Sequence, residues 1–291
     1  MTKFKIWLLA IRPKTLPAAA VPVIVGTAIA IGDMAFNFGP ALAALLGALL
    51  IQIGANLAND VFDFKKGTDT AERTGPLRVT QAGLLTPRQV TVGMCLVFGL
   101  ALLIGIYLIA VGGWPILVIG ILSIICAIAY TGGPYPLGYN GLGDVFVFIF
   151  FGLVAVCGTY YVQAGEVSGA SILAALPVGL LATAILVVNN LRDLETDKKT
   201  GKKTLAVHLG VKGTQAEYLL LLGVSYLVPV LIWATGYGST WIMLSWLSIP
   251  FAIPLIKDIF IKKGSSLNET LAGTAKLEFI YGLLFSLGYI L

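Results

Sequence analysis

Nine long apolar runs constrain this chain more than anything else in it. They lie at about 16–36, 39–58, 90–111, 115–130, 144–163, 170–191, 215–235, 240–261 and 275–291. A helix needs roughly 20 apolar residues to cross a bilayer. In hydrocarbon every backbone N–H and C=O must find its partner inside the protein, so runs of this kind fold as helices. Of the 291 residues, 58% are hydrophobic and 11% charged, whereas soluble domains are about a quarter charged. Most of the mass therefore belongs in lipid. The expected fold is all-α: nine transmembrane helices in one polytopic membrane domain over residues 1–291.

Charge placement predicts the orientation. With the N-terminus in the cytoplasm, all 19 Lys and Arg fall on that side. Four precede the first span, five lie between spans 2 and 3, six between 6 and 7, and four around the link from 8 to 9. The opposite face carries only Asp33 and Glu166. This asymmetry follows the positive-inside rule and puts the C-terminus outside. The net charge of +5 thus reports topology and does not imply a nucleic-acid partner. The basic start, Met1 to Lys14, is not followed by a small-residue cleavage site, so no cleaved signal peptide is expected.

Two polar clusters interrupt this pattern, at the cytoplasmic ends of spans 2 and 6. The first is Asn56-Leu57-Ala58-Asn59-Asp60-Val61-Phe62-Asp63, with Asp69 beyond it. The second is Asn189-Asn190-Leu191-Arg192-Asp193-Leu194-Glu195-Thr196-Asp197. Asn56, Asp60 and Asp63 share a helix face by spacing, as do Asn189, Asp193 and Asp197. Spans 2 and 6 run in the same direction and are four apart. That suggests a four-helix repeat, spans 1–4 and 5–8 plus span 9, packed pseudo-symmetrically around a central cavity open to the cytoplasm.

Carboxylates beside lipid are costly and mark function by default. Both clusters close helices at their C-terminal, negative ends, where a cation gains and an anion does not. Hard oxygen donors of this type suit Mg²⁺, which keeps water and phosphate in its shell. Basic residues follow each cluster: Lys65, Lys66, Arg73 and Arg78 after the first, Arg192, Lys198, Lys199, Lys202 and Lys203 after the second. Most such cations set topology and meet anionic lipid. Arg78, inside Gly75-Pro76-Leu77-Arg78-Val79-Thr80-Gln81, and Lys65 and Lys198, each beside an acidic cluster, are the candidates for phosphate contacts.

Other signals carry less. Cys95, Cys126 and Cys157 lie inside apolar runs without close spacing, as buried small residues do. His208, the single histidine, is expected in a loop. Gly201-Lys202-Lys203-Thr204 lacks the upstream glycine of a P-loop. Asn268-Glu269-Thr270 has the form of a glycosylation acceptor but falls on the cytoplasmic side. Aromatic residues crowd spans 4 to 6 (Tyr130, Phe146, Phe148, Phe150, Phe151, Tyr160, Tyr161); most are expected in packing, a minority in an apolar tunnel.

With these residues in place the chain resembles the UbiA-type intramembrane prenyltransferases. Asn59-Asp60-Val61-Phe62-Asp63 is similar to the family's Asn-Asp-x-x-Asp motif, and Asp193 to Asp197 to its Asp-x-x-x-Asp motif. Arg12–Pro17, Gly75–Gln81, Thr131–Gly138, Asn189–Asp193 and Thr274–Phe279 resemble the members that act on 1,4-dihydroxy-2-naphthoate in menaquinone synthesis. One departure is Gly67, which stands where the family often has a third aspartate. The resemblance implies that Mg²⁺ held by Asp60, Asp63, Asp193 and Asp197 binds a polyprenyl diphosphate. It implies supporting roles for Asn56, Asn59 and Asn189, and diphosphate contacts from Arg78, Lys65 and Lys198. The prenyl group would replace the naphthoate carboxylate as CO₂, in a bacterial inner membrane. Lys276 and Tyr135 are the candidates for the acceptor's carboxylate. The alternatives are another acceptor (4-hydroxybenzoate, homogentisate, haem or a chlorophyllide) or an ion-coupled transporter, which would carry its acids in broken mid-membrane spans.

Overall fold

The computed structural model describes residues 1–68 and 74–291; Asp69 and Arg73 lie outside the described residues. A short helix α1 (Lys3–Ile11) precedes α2 (Leu16–Gly32), α3 (Phe38–Lys65), α4 (Pro87–Gly112) and α5 (Trp114–Ala129). Next, α6 (Gly143–Val147) passes through a wide π-helical stretch, Phe148–Val154, into α7 (Ala155–Ala164). Then come α8 (Gly169–Thr200) and α9 (Leu205–Ala234). A 3₁₀ stretch, Thr240–Ser248, enters α10 (Ile249–Ile261), and α11 (Leu267–Ile290) closes the fold.

Helix thus covers each of the nine apolar runs. Among the described residues, seven helical stretches are by length and composition apolar enough to cross a membrane, against nine expected spans. The difference has a physical origin. Helix α5 has only 16 residues, and α11 carries Glu269, Lys276 and Glu278 within its 24.

Local chemistry sets the helix ends. Thr86 caps α4 through a capping box with Gln89, and Pro87 takes the first helical position, where its missing N–H costs nothing. Ser168 and Thr204 cap α8 and α9 with their hydroxyls. Helix α8 is the central rod: Ala174, Val178, Leu181, Ala184, Val187 and Val188 are fully buried within the main core. In contrast α4 turns Leu96, Leu100, Leu103 and Ile106 outward, as a lipid-facing helix does. Cys95 is exposed on this same helix, against the expectation of burial, and none of the three cysteines is in a disulfide. His208 sits in the opening turns of α9 rather than in a loop.

Helices α3 and α8 both continue past their apolar runs, so their acidic clusters ride on the last helical turns. Both end in the same device. Gly67 (φ +69°) and Gly201 (φ +77°) adopt the left-handed conformation that glycine takes at no steric cost. Beyond them, the N–H of Thr68 donates to the Asp63 carbonyl and that of Lys202 to the Asp197 carbonyl. The left-handed turn suits the glycine found at position 67.

Candidate active site

A cavity of about 1160 Å³ lies between α2, α3, α4, α5, α7 and α8. Most of its wall is apolar, reaching from Ala19 and Ile51 to Leu108 and Leu117. Tyr130, Phe146, Phe150 and Phe151 line it, and the π-helical turn carries the last two. Phe148, Tyr160 and Tyr161 do not. Tyr160 donates to Asp33 and Tyr161 to the Gly112 carbonyl, away from the clusters.

The polar end of the cavity joins the two clusters. Asp63, Asp193, Asp197, Asn59, Asn189 and Arg78 all line it. Asp63 is the most enclosed of these acids, at 2% exposure. Its Oδ2 accepts from the Arg78 guanidinium at 2.8 Å, and its Oδ1 accepts from the Tyr139 hydroxyl. Lys202 stands between the clusters, its Nζ 3.8 Å from Asp63 and 4.0 Å from Asp197. The Tyr139 ring lies under two ammonium groups, Lys202 at 4.5 Å and Lys66 at 5.0 Å. Lys66 also donates to the Gly133 carbonyl. Desolvation lowers its pKa below the ordinary lysine value, with Asp63 pulling the other way and Lys202 adding to the lowering.

In the second cluster the compensating charge comes from the neighbouring residue. Arg192, 4% exposed, forks onto both oxygens of Asp193. It also donates to Asn189 Oδ1 and to Asn268 Oδ1. Thr74 adds a hydroxyl to Asp193 at 2.6 Å, and Asn268 Nδ2 returns to the Thr74 carbonyl. Asn59 accepts from the Thr131 hydroxyl.

Other expected residues are placed differently. Asp60 is 1% exposed and is not on the cavity wall. Its two oxygens accept the backbone N–H groups of Val79 and Thr80, each at 3.1 Å. Asn56 reaches the wall, but its amide donates to the Ile11 carbonyl and the Thr15 hydroxyl. Lys65 and Lys198 are exposed and off the wall. At 100° per residue Lys65 stands about 200° round the helix from Asp63, and Lys198 about 100° from Asp197. Lys276 lies over Phe251, and Tyr135 is 60% exposed; neither lines the cavity. The structure supplies Tyr139, Lys202 and Asn268 in their place. Lys202 carried a readable signal, its position one turn past Asp197. Asn268 resembled a glycosylation acceptor, and Tyr139 had no charge to mark it.

The UbiA prenyltransferase family model matches residues 19–275. The chain belongs to that family. It is 38% identical to the 1,4-dihydroxy-2-naphthoate octaprenyltransferase of Haemophilus influenzae, over 99% of this chain and 97% of the relative. It is 39% identical to the enzyme of the same name from Escherichia coli, over 100% and 97%. A UbiA homolog from Archaeoglobus fulgidus, solved bound to GPP and Mg²⁺, superposes with a TM-score of 0.67. That match covers 97% of this chain and 99% of the other at 15% identity, a likeness of fold.

The donors at this site fit a divalent cation shared with a ligand. Among the described residues no three acidic, histidine or cysteine side chains converge tightly enough to cage an ion by themselves. Asp63, Asp193 and Asp197 instead present hard oxygens from two helices across one cavity end. Mg²⁺ suits such a set, since it takes one or two carboxylates and fills its shell with water and phosphate.

Proposed function

We propose that this chain transfers a polyprenyl group from a polyprenyl diphosphate to 1,4-dihydroxy-2-naphthoate, giving demethylmenaquinol, diphosphate and CO₂. The observation that carries the reading is one cavity with two chemistries. A long apolar wall suits a prenyl chain, and one end concentrates carboxylates, Arg78, Arg192 and Lys202 for a metal-bound diphosphate. The naphthoate acceptor is favoured by the names of relatives aligned over nearly the whole chain.

In this reading Asp63, Asp193 and Asp197 hold Mg²⁺, with Asn59 and Asn189 beside them. When bound, the metal neutralises the departing diphosphate and eases cleavage of the allylic C–O bond. Arg78 and Lys202 turn toward phosphate oxygens as negative charge grows on them. The apolar wall excludes water that would quench the allylic cation. The ring carbon bearing the carboxylate then bonds to the prenyl C1. The C–CO₂ bond breaks, and its electrons restore the aromatic ring.

The topology belongs to the same proposal. Nine spans place the N-terminus and the mouth of the cavity in the cytoplasm and the C-terminus outside, in a bacterial inner membrane. The grouping of Lys and Arg supports it. Spans 1–4 and 5–8 form a repeated unit within one domain, and the shared glycine turn after each cluster supports that. The acids stand on the last turns of unbroken helices, unlike those of an ion-coupled transporter.

The test uses naphthoate labelled with ¹⁴C at its carboxylate, purified protein in lipid nanodiscs, and a prenyl diphosphate. Release of one ¹⁴CO₂ per diphosphate, dependent on Mg²⁺, is expected. Prenylation that retains the label would overturn the assigned reaction.

A further inference from the structure

The acidic motif on α3 contains two aspartates, and the fold gives them opposite surroundings. Asp63 faces the cavity and is met by side chains. Asp60 stands about 60° further round the helix and faces the strand of chain that carries Arg78. Consecutive N–H groups of Val79 and Thr80 converge on its two oxygens, 3.1 Å each. Successive backbone N–H groups form a small anion-binding concavity of this kind, and hydrogen bonds to an ionised carboxylate are the strong ones. Asp60 is 1% exposed, and Val79 is wholly buried. The residue just before this anchor is Arg78, whose guanidinium reaches Asp63 at 2.8 Å.

The geometry assigns Asp60 a positioning role: its carboxylate fixes the backbone at Val79 and Thr80, and so aims Arg78 at Asp63 and the polar end of the cavity. It is not a ligand to the metal. This rests on the reading of the site as a metal–diphosphate centre, and it divides the motif between two tasks. Asn59 and Asp63 face the substrate, while Asp60 builds the wall that presents the arginine. The same segment is held again at Thr74, which meets Asp193 and Asn268. Asp60 is therefore one of several ties that stitch this segment across both clusters.

The test compares Asp60→Asn with Asp63→Asn in purified protein in nanodiscs, using Mn²⁺ binding by electron paramagnetic resonance alongside kinetics. An asparagine at 60 keeps one acceptor oxygen and sets its NH₂ against the other backbone N–H. Asp60→Asn is expected to raise KM for the prenyl diphosphate about tenfold, the scale of one lost charge-assisted bond. Its Mn²⁺ affinity in the presence of inorganic diphosphate should stay within about twofold of the parent, whereas Asp63→Asn should lose at least about tenfold. Adding Arg78→Ala to Asp60→Asn should raise KM no further than Arg78→Ala alone, since the two act through one group. Mn²⁺ affinity falling equally in both aspartate variants, or additive effects with Arg78→Ala, would overturn the assignment. Such results would leave the prenyl-transfer reading intact, because that reading fails only if the parent protein makes no prenylated naphthalene.

Discussion

The two acidic clusters close parallel helices with the same glycine turn, yet they are neutralised in different ways. At the end of α8, Arg192 and Asp193 are neighbours in sequence, and the arginine forks onto the carboxylate from its own helix. At the end of α3 the compensating groups arrive from elsewhere: Arg78 from the connection to α4, Tyr139 from the segment before α6, Lys202 from beyond α8. The second cluster carries a charge partner in its own helix, with Thr74 and Asn268 reaching it from distant segments. The first is assembled by tertiary structure. In the proposed reading, the cations of the first cluster are the ones that would change partners when diphosphate enters.

That contrast can be broken by removing each arginine. Arg192→Ala leaves Asp193 without its fork and removes the donor to the Oδ1 atoms of Asn189 and Asn268, a loss of roughly 3 kcal/mol for a buried pair with one partner removed. Arg78→Ala should cost clearly less stability, because Asp63 keeps Tyr139 and Lys202. Thermal unfolding in detergent checks this, with the lower Tm expected for Arg192→Ala. Equal Tm values for the two variants would mean that the clusters are not built differently.

A smaller effect sharpens the map of the site. Lys65→Ala combined with Lys198→Ala should change kcat/KM by no more than about twofold, the scale of exposed charges off the cavity wall. Steady-state kinetics at two salt concentrations measures it. A tenfold loss would place these lysines on the substrate after all.

How much of this could be read before the fold was known follows from the same contrast. Apolar runs marked every long helix because lipid leaves the backbone no other solution. Residue spacing brought Asp193, Asp197 and Asn189 to one face correctly, since their relations lie within one helix. The spacing rule also grouped Asn56, Asp60 and Asp63, and there it was too coarse. The cavity edge falls between Asp63 and Asp60, and only the path of the Val79–Thr80 segment decides it. Lys202 was legible in position but not in role, because the turn at Gly201 is what folds it back beside Asp197. Tyr139 lies 76 residues from Asp63, and helical periodicity carries no information at that range. The count of spans is hardest to read where apolar length is marginal, at the 16 residues of α5.

The central claim is that both clusters act together on one metal-bound diphosphate. Equilibrium binding of radiolabelled prenyl diphosphate to the purified protein, with Mg²⁺ or with EDTA, tests it directly in the parent, Asp63→Asn and Asp197→Asn proteins. Tight binding should require Mg²⁺ in the parent and should be lost in each single variant, with the helical content of all three unchanged. Full Mg²⁺-dependent binding in either variant would show that one cluster suffices, and would contradict the account.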